Sequence, residues 1–162
     1  MTTPDAVDIR PAREEDFDAV ARVWLESWES TGLGATVDSS YAELRARIPR
    51  EIAAGWRLFV AESEGEIVAM LAVRPEDSHL DQIFVAPGFQ GQGLGKRLLD
   101  LARRLMPREM WLRTSVGNER AWSWYEREGF VRERLEDEPG WTQPRAYYRW
   151  RPPVTGPLEA PS

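Results

Sequence analysis

The residues with the clearest chemical potential form one glycine-rich segment, Gln90-Gly91-Gln92-Gly93-Leu94-Gly95-Lys96. It follows the apolar run 83–87 and precedes a segment in which apolar residues recur at helical spacing. Glycines at alternate positions allow a tight turn and a close approach of a ligand to the main chain. The first turn of a helix has N–H groups without intrahelical partners, so it can bind an anion. The pattern therefore predicts a strand, a phosphate-binding turn and a helix.

Two common nucleotide-binding motifs do not match this segment. A P-loop has glycine five positions before its Gly-Lys pair and Ser or Thr directly after it, whereas Gln90 and Arg97 occupy these positions. The dinucleotide fingerprint G-x-G-x-x-G fails as well, because no glycine stands in its last place when the motif is started at Gly91 or Gly93. The residues alone leave two interpretations open, namely a phosphate-binding turn or a turn that only joins a strand to a helix.

Composition narrows the class of protein. The 162 residues are 42% hydrophobic and 30% charged, which suits one soluble domain with an ordinary core. No apolar run approaches the ~20 residues of a membrane span. The net charge of −6 argues against a general nucleic-acid binder and suits a cationic or neutral substrate. The chain has one histidine and no cysteine, so we expect no disulfide and no metal site. The absence of cysteine and of a signal-peptide pattern favours a cytoplasmic protein.

Hydrophobic periodicity predicts the elements that position the glycine segment. Alternation predicts strands over 7–10, 56–62, 66–73, 79–85, 110–114, 130–135 and 145–150, and helical spacing predicts helices starting near residues 11, 38, 94 and 118. Pro49 lies inside the second predicted helix and is expected to split it. A strand, the glycine segment, a helix and a further strand make a right-handed βαβ unit, so the fourth and fifth strands should be parallel neighbours.

The predicted elements form one domain over residues 7–151. Residues 1–6 are expected to be a flexible start, and the proline-rich residues 152–162 a disordered tail. The element order is β-α-α-β-β-β-α-β-α-β-β, and we see no internal repeat or linker between domains.

Three features of the chain coincide in one known family. They are the strand that ends in 83–87, the pattern Gln-x-x-Gly-x-Gly over 90–95, and the segment 118–130, which carries Asn118, Tyr125 and a Gly-Phe pair. Together they resemble the GCN5-related N-acetyltransferase (GNAT) superfamily, which transfers acetyl groups from acetyl coenzyme A (acetyl-CoA) to amines. The resemblance implies an α/β fold of three layers. Its mixed, mostly antiparallel seven-stranded sheet is parallel at the fourth and fifth strands and has helices on both faces.

The resemblance also implies how acetyl-CoA is held. Backbone amides of the glycine segment would bind the pyrophosphate, and the main chain of 83–85 would pair with the pantetheine arm like an added strand. Asn118 matches a family position that contacts the coenzyme, and it could also be a plain helix cap. The implied coenzyme-binding residues are Ile83, Phe84, Val85, Gln90, Gly91, Gln92, Gly93, Leu94, Gly95, Lys96 and Asn118, with no metal.

By the same resemblance, the acetyl group passes directly to the amine in a ternary complex. Tyr125 matches a tyrosine that gives a proton to the leaving thiolate, and core packing is its alternative role. His79 and Asp81 fall where family members carry a base or lead protons through water. Asp81 could instead bind a cationic acceptor or orient His79, and water alone could be the base. Strand alternation would place both residues on one face with Ile83 and Val85, and a backbone N–H near Val85 would stabilise the thioester oxygen.

The acceptor is not identified by the sequence. Candidate pocket aromatics are Trp28, Tyr41, Trp141 and Tyr147, and packing is the alternative for each. The acceptor could be a small-molecule amine or an amine of a peptide or protein. Alternatives to an acetyltransferase are a non-catalytic acetyl-CoA sensor, a phosphate-binding regulatory domain, and an enzyme that uses a longer acyl group. A homodimer is also open, since the last strand often mediates dimerisation in this fold.

Overall fold

The computed structural model describes residues 6–31 and 40–153. Its strands are β1 (Asp8–Pro11), β2 (Arg57–Ser63), β3 (Glu66–Arg74), β4 (His79–Val85), β5 (Met110–Ser115), β6 (Val131–Glu136) and β7 (Arg145–Trp150). Its helices are α1 (Phe17–Glu29), α2 (Tyr41–Ala53), α3 (Leu94–Leu105) and α4 (Glu119–Arg127). The predicted flexible start and disordered tail fall mainly on residues 1–5 and 154–162, outside the described residues.

The seven strands form one sheet in the order β1-β2-β3-β4-β5-β7-β6. The β4–β5 pair is parallel and the other described pairs are antiparallel. The predicted fold class, the element order and the parallel central pair are therefore confirmed.

Two hydrophobic cores cover the two faces of the sheet. Leu71 of β3 packs with Leu98 of α3 in the core that also contains α4 residues, whereas the adjacent Met70 packs with Val20 of α1 and Ile48 of α2. Because successive strand residues point to opposite faces, the sheet becomes the middle of three layers. No helix in the described parts of the chain has the length and apolarity to cross a membrane.

One expectation about the second helix is wrong. The helix α2 continues through Pro49 instead of splitting there. Leu44 and Ile48 are 2% and 0% exposed, and burial of such side chains stabilises by about 1.5–3 kcal/mol each. This offsets the cost of about 3 kcal/mol for an interior proline. The start of α2 is fixed by Ser40, whose hydroxyl accepts a hydrogen bond from the Glu43 N–H at 3.2 Å.

A β-bulge interrupts β4 near its start. Consecutive residues Ala72 and Val73 of β3 pair with Gln82 and Leu80, so Asp81 is one extra residue on β4. A bulge of this kind is common next to functional sites, where it redirects a side chain.

The bulge corrects the alternation expected for β4. Leu80 joins the α3-side core together with Ile83 and Val85. Asp81 instead bonds Trp56, which belongs to the core of α1 and α2. One extra residue in a strand turns the side chains that precede it to the opposite face of the sheet. Asp81 therefore does not share a face with Ile83 and Val85.

The parallel strands β4 and β5 are joined only at their beginnings. Within the described residues they share one register pair, His79 with Trp111. The Trp111 N–H also donates to the Ser78 carbonyl at 2.8 Å. Beyond this point the two strands diverge, and the sheet opens into a gap that leads toward the glycine segment.

Candidate functional site

The divergence of β4 and β5 opens a cleft of about 1040 Å³. The sequence-predicted residues that line it are Trp28, Asp81, Ile83, Phe84, Val85, Gln90, Gly91, Gly93, Gly95, Lys96, Asn118, Tyr125 and Trp141. Five predicted residues lie outside this lining, and they are Tyr41, His79, Gln92, Leu94 and Tyr147. We call the part formed by residues 83–85, the lining residues of the segment 90–96, Asn118 and Tyr125 the glycine side. The part formed by Ser27, Trp28, Arg113, Trp141 and Arg145 is the arginine side.

The turn before α3 requires glycine at two positions. Gly91 and Gly93 have φ of 79° and 82°, a left-handed conformation that residues with a Cβ rarely adopt. Apart from the adjacent residues of the turn, no heavy atom of the described chain lies within 4 Å of the place where a Cβ would stand on either residue. The turn thus presents bare backbone beside open space.

The start of α3 provides unpaired backbone donors. Gly93 is the N-cap, and the first intrahelical bond runs from the Arg97 N–H to the Gly93 carbonyl at 3.1 Å. The N–H groups of residues 94–96 come before this bond and have no carbonyl partner within the helix. Together with the helix dipole they form a site suited to an anion.

The free edge of β4 adds main-chain groups to the same side. The Ala86 N–H donates to the Val68 carbonyl at 2.8 Å. Hydrogen-bonded and non-hydrogen-bonded pairs alternate along an antiparallel ladder, so the main chain of Phe84 faces β3. The main-chain groups of Ile83 and Val85 therefore point into the gap. The resemblance implied that the main chain of all three residues 83–85 would pair with a ligand, whereas the main chain of Phe84 faces β3 instead.

Gln90 holds one of these exposed groups. Its side-chain Nε2 donates to the Val85 carbonyl oxygen at 2.9 Å, which agrees with Val85 facing away from β3. The Val85 N–H, on the same side of the strand, then remains as the donor that faces the gap.

Polar side chains at the starts of α3 and α4 are paired within the protein. Lys96 Nζ lies 2.9 Å from Glu128 Oε1, so much of its charge is balanced. Asn118 is the N-cap of α4 and accepts a hydrogen bond from the Ala121 N–H at 3.4 Å. The capacity of residues 90–96 and Asn118 to bind an anion therefore rests mainly on backbone amides, and Arg120 and Arg127 of α4 also line the cleft.

Tyr125 extends from α4 and is both packed and part of the cleft wall. Its residue surface is 8% exposed, and its ring packs at 5.3 Å from Trp124 and 5.6 Å from Phe130. Burial raises the pKa of its phenol above the ordinary value of 10. The hydroxyl is therefore protonated throughout the neutral pH range and can donate a proton.

Asp81 lines the cleft with both carboxylate oxygens engaged. Oδ2 accepts a hydrogen bond from Trp56 Nε1 at 2.7 Å, and Oδ1 accepts one from Gln82 Nε2 at 3.1 Å. Arg74 Nε lies 3.6 Å from Oδ2. These contacts fix the carboxylate in position.

His79 does not join the residues of the cleft wall. It is 7% exposed and its ring stacks on Trp111, with ring centroids 3.8 Å apart and an angle of 2° between the planes. Burial lowers its pKa to about 4, although the nearby Asp81 charge opposes the shift. The imidazole is therefore neutral at physiological pH.

Two tryptophans close the arginine side. Trp28 at the end of α1 and Trp141 before β7 meet edge to face at 5.5 Å. The Arg145 guanidinium lies over the Trp141 ring at 3.8 Å. Of the other aromatic candidates, Tyr41 is exposed on α2, and Tyr147 is buried against the sheet.

Sequence reasoning missed the two arginines of this side. Arg113 Nη1 and Arg145 Nη1 each lie 3.4 Å from the Glu138 carboxylate, which also accepts a hydrogen bond from the Tyr147 hydroxyl. Arg145 and Tyr147 are two positions apart on β7, so their side chains lie on the same face of the sheet. The one indication of Arg145 in the sequence was its position two residues before the predicted pocket residue Tyr147.

Comparison with known proteins gives consistent results for sequence and fold. The sequence profile described as the acetyltransferase (GNAT) family matches residues 17–130. The probable N-acetyltransferase Rv2775 of Mycobacterium tuberculosis is 31% identical over 149 residues, covering 78% of this chain and 81% of that protein. The peptidyl-lysine N-acetyltransferase YjaB of Salmonella typhimurium is 28% identical over 127 residues, covering 76% and 83%.

A solved structure shares the arrangement of strands and helices. The PaiA N-acetyltransferase of Thermoplasma acidophilum, determined in complex with coenzyme A, superposes with a TM-score of 0.71. It is 19% identical, and the match covers 90% of this chain and 98% of that one. Since the family profile extends over more than half of the sequence, this chain belongs to the acetyltransferase (GNAT) family.

Proposed function

We propose that this protein transfers an acetyl group from acetyl-CoA to a primary amine of a small molecule or peptide, by direct attack in a ternary complex. The observation that carries the proposal is the gap between β4 and β5. There the exposed main chain of Ile83 and Val85, the amides at the start of α3 and the buried Tyr125 line one cleft. Family membership supports the acyl transfer, and the coenzyme A complex of PaiA supports the donor.

The glycine side fits the chemistry of coenzyme A. Backbone N–H groups at the start of α3 suit the pyrophosphate, and the open space beside Gly91 and Gly93 leaves room for it. Main-chain groups that face the gap suit the amides of the pantetheine arm. Gln92 and Leu94 would contribute only through their backbone, because their side chains are outside the cleft lining.

Bound acetyl-CoA would supply a thioester whose acyl carbon accepts the amine, so that an N–C bond forms and the C–S bond breaks. The Val85 N–H faces the gap and is suited to stabilise the charge that develops on the acyl oxygen. Tyr125 would give its proton to the departing sulfur, and the proton that the attacking nitrogen loses as the amide forms would pass through solvent and restore the phenol. Its raised pKa means that the phenol is protonated, and so in the donor form, at neutral pH.

The amine must lose a proton before it can attack, since ammonium groups have a pKa near 10. Asp81 lines the cleft but has both oxygens engaged, so we assign the first proton acceptor to water beside it. His79 is a weaker candidate for the first proton acceptor. It lies outside the cleft lining, and its pKa of about 4 makes it a weak base.

The test uses the full chain with acetyl-CoA and a panel of primary amines and amine-bearing peptides. We expect thiol release that depends on the amine, with one acetylated product per thiol by mass spectrometry. Parallel reactions with propionyl-CoA and succinyl-CoA test the alternative of a longer acyl donor. Coenzyme binding without amine-dependent thiol release for any acceptor would overturn the proposal in favour of a non-catalytic sensor.

A further inference from the structure

The arginine side contains a buried cationic group with an unused donor. Arg145 is 9% exposed and lines the cleft. Its Nε is fully buried and has no hydrogen-bond partner among the described residues. Native proteins pair nearly all buried donors, so an unpaired one calls for an explanation. The protein thus leaves part of the hydrogen-bonding capacity of this guanidinium unused, while the Arg145 side chain contributes to the cleft wall.

The protein itself supplies little countercharge for this arginine. Arg145 Nη1 is 3.4 Å from Glu138 Oε1, a distance too long for a strong charged hydrogen bond. Glu138 is shared, since it accepts a hydrogen bond from the Tyr147 hydroxyl and lies 3.4 Å from Arg113 Nη1. Burial and the neighbouring Arg113 lower the pKa of the Arg145 guanidinium, although an arginine remains charged in proteins.

The remaining carboxylate of the cleft lining near these groups is committed elsewhere. Asp81 accepts a hydrogen bond from Trp56 and lies close to Arg74. Two guanidinium groups, those of Arg113 and Arg145, therefore face one shared carboxylate. Among the described residues, the arginine side itself presents two guanidinium groups and no carboxylate to the cleft, even though the chain as a whole has a net charge of −6.

A second unused polar group belongs to another element of the arginine side. Ser27 of α1 is 4% exposed, lines the cleft, and has an Oγ without a hydrogen-bond partner in the described chain. It precedes Trp28, whose ring meets Trp141, and Trp141 in turn lies under the Arg145 guanidinium. The stacking fixes the plane of the guanidinium, which preorganises it for a planar acceptor.

We infer that the acceptor is an amine that also carries a carboxylate, and that Arg145 binds this carboxylate with Arg113 and Ser27 beside it. A carboxylate is planar, negatively charged and able to accept from a guanidinium and a hydroxyl together. The inference rests on the proposed function and narrows its acceptor. It also narrows the expectation of a cationic or neutral substrate, because an amine that carries one carboxylate is a neutral zwitterion at neutral pH, or a cation when it has a second amine.

The test compares acceptors that differ only in the carboxylate, namely tyrosine with tyramine and lysine with cadaverine. We expect kcat/KM to be at least about tenfold higher for the amino acid in at least one pair. An effect of this size is expected from the loss of one hydrogen bond to a charged group. In Arg145→Gln this advantage should fall by about tenfold through the acceptor KM, with the affinity for coenzyme A unchanged. Arg145→Lys keeps the charge and should retain part of the advantage.

Arg149→Gln is the matched control. Arg149 lies on the same face of β7, but it pairs with Glu133 and Glu109 and is outside the cleft lining. It should retain the full advantage. Because Arg145 is buried and its variants could fail to fold, Arg113→Gln is a second variant at a more exposed side chain. It should also reduce the preference for the carboxylate.

Two outcomes separate this inference from the proposed function. If amines are acetylated but the paired acceptors react equally well, or if Arg145→Gln and Arg113→Gln leave the preference unchanged, the inference is overturned and the proposed function stands. If no amine is acetylated, the proposed function fails. Calorimetry of tyrosine against tyramine with the coenzyme A complex then decides, and equal binding by wild type overturns the inference.

Discussion

The two sides of the cleft are built from different parts of the chain. The glycine side uses main-chain groups from short segments around β4, the start of α3 and α4. The arginine side uses side chains from α1, β5, the segment before β7 and β7 itself. The difference follows from what each side would hold. Backbone amides can bind the constant parts of a coenzyme, whereas discrimination among acceptors requires side chains that differ in charge and shape.

The two sides also differ in how their charges are balanced. On the glycine side the Lys96 ammonium pairs with Glu128 at 2.9 Å. On the arginine side Arg113 and Arg145 share Glu138 at 3.4 Å each. Burial of an underpaired charge costs free energy, and a ligand of the opposite sign would reduce this cost.

The largest effect is expected at Tyr125 of the glycine side. Tyr125→Phe keeps the buried ring and removes the proton donor, so kcat should fall by about 100-fold, the lower range for general acid catalysis. The affinity for coenzyme A should stay the same, because the donor acts on the leaving sulfur. Steady-state kinetics and calorimetry measure the two quantities.

Tyr41→Phe serves as the control for this substitution. Tyr41 is exposed on α2 and outside the cleft lining, so the same loss of a hydroxyl should leave kcat unchanged. A Tyr125→Phe enzyme with wild-type turnover would remove this residue from the mechanism and leave it a packing role.

A smaller effect is expected from a methyl group on the glycine side. Gly93→Ala should weaken coenzyme A binding by about tenfold, since the added Cβ enters the space beside the amides and the left-handed backbone is strained by about 1–2 kcal/mol. Gly65→Ala is a close control. Gly65 in the β2–β3 turn has the same φ of 82° and the same open surroundings, but it lies outside the cleft lining.

Urea unfolding and calorimetry separate strain from binding in this pair. Both variants should lose similar stability, and only Gly93→Ala should lose coenzyme affinity. An equal, small loss of affinity in both would mean that the turn before α3 does not hold the coenzyme.

The contrast between the two sides also explains what the sequence could predict. The glycine side could be predicted from short sequence patterns. Positive φ at Gly91 and Gly93 and a helix that starts at Leu94 depend only on residues that are neighbours in the sequence. Periodicity likewise predicted the order of the elements, and the βαβ unit predicted the parallel pair, whereas the three-layer fold class was implied by the family resemblance. The bulge at Asp81 was missed because it depends on how β3 pairs with β4, which no local pattern in β4 reveals.

The arginine side could not be assembled from local rules. Trp28 and Trp141 were candidates one at a time, but their contact joins residues more than a hundred positions apart. Arg145 was overlooked because an arginine at the start of a strand is usually solvated. Its importance comes from burial and from the shortage of acceptors around it, and both are tertiary properties.

A several-fold effect on the acceptor is expected from the tryptophan pair. Trp141→Ala removes the edge-to-face contact with Trp28 and the ring under Arg145, and aromatic contacts of this kind contribute about 0.5–1.5 kcal/mol. The acceptor KM should rise by about threefold to tenfold, while the KM for acetyl-CoA stays unchanged.

The double variant tests whether the two rings act as one wall. If they do, Trp28→Ala combined with Trp141→Ala should raise the acceptor KM no more than Trp141→Ala alone. Additive increases, or a matching rise in the KM for acetyl-CoA, would contradict the division of the cleft into two sides.

The smallest effect on the reaction is expected at His79, which lies outside both sides. His79→Gln should leave the pH dependence of kcat/KM unchanged between about pH 6 and 9, because a buried imidazole stacked on Trp111 has no access to the acceptor amine. Its effect should appear in stability. The folded pKa of about 4 lies below the ordinary value of 6.5, so from pH 6.5 to 4 the unfolded chain binds a proton that the folded chain does not.

Wild-type stability should therefore decrease as the pH falls through this range, by up to about 3 kcal/mol. A glutamine cannot be protonated there, so urea unfolding of His79→Gln at pH 7 and pH 5 should show a smaller loss than wild type. If the variant instead alters the acid limb of the rate profile, the imidazole takes part in proton transfer. The cleft would then extend past Asp81 to the start of β4, and the two sides would have a titrating group in common.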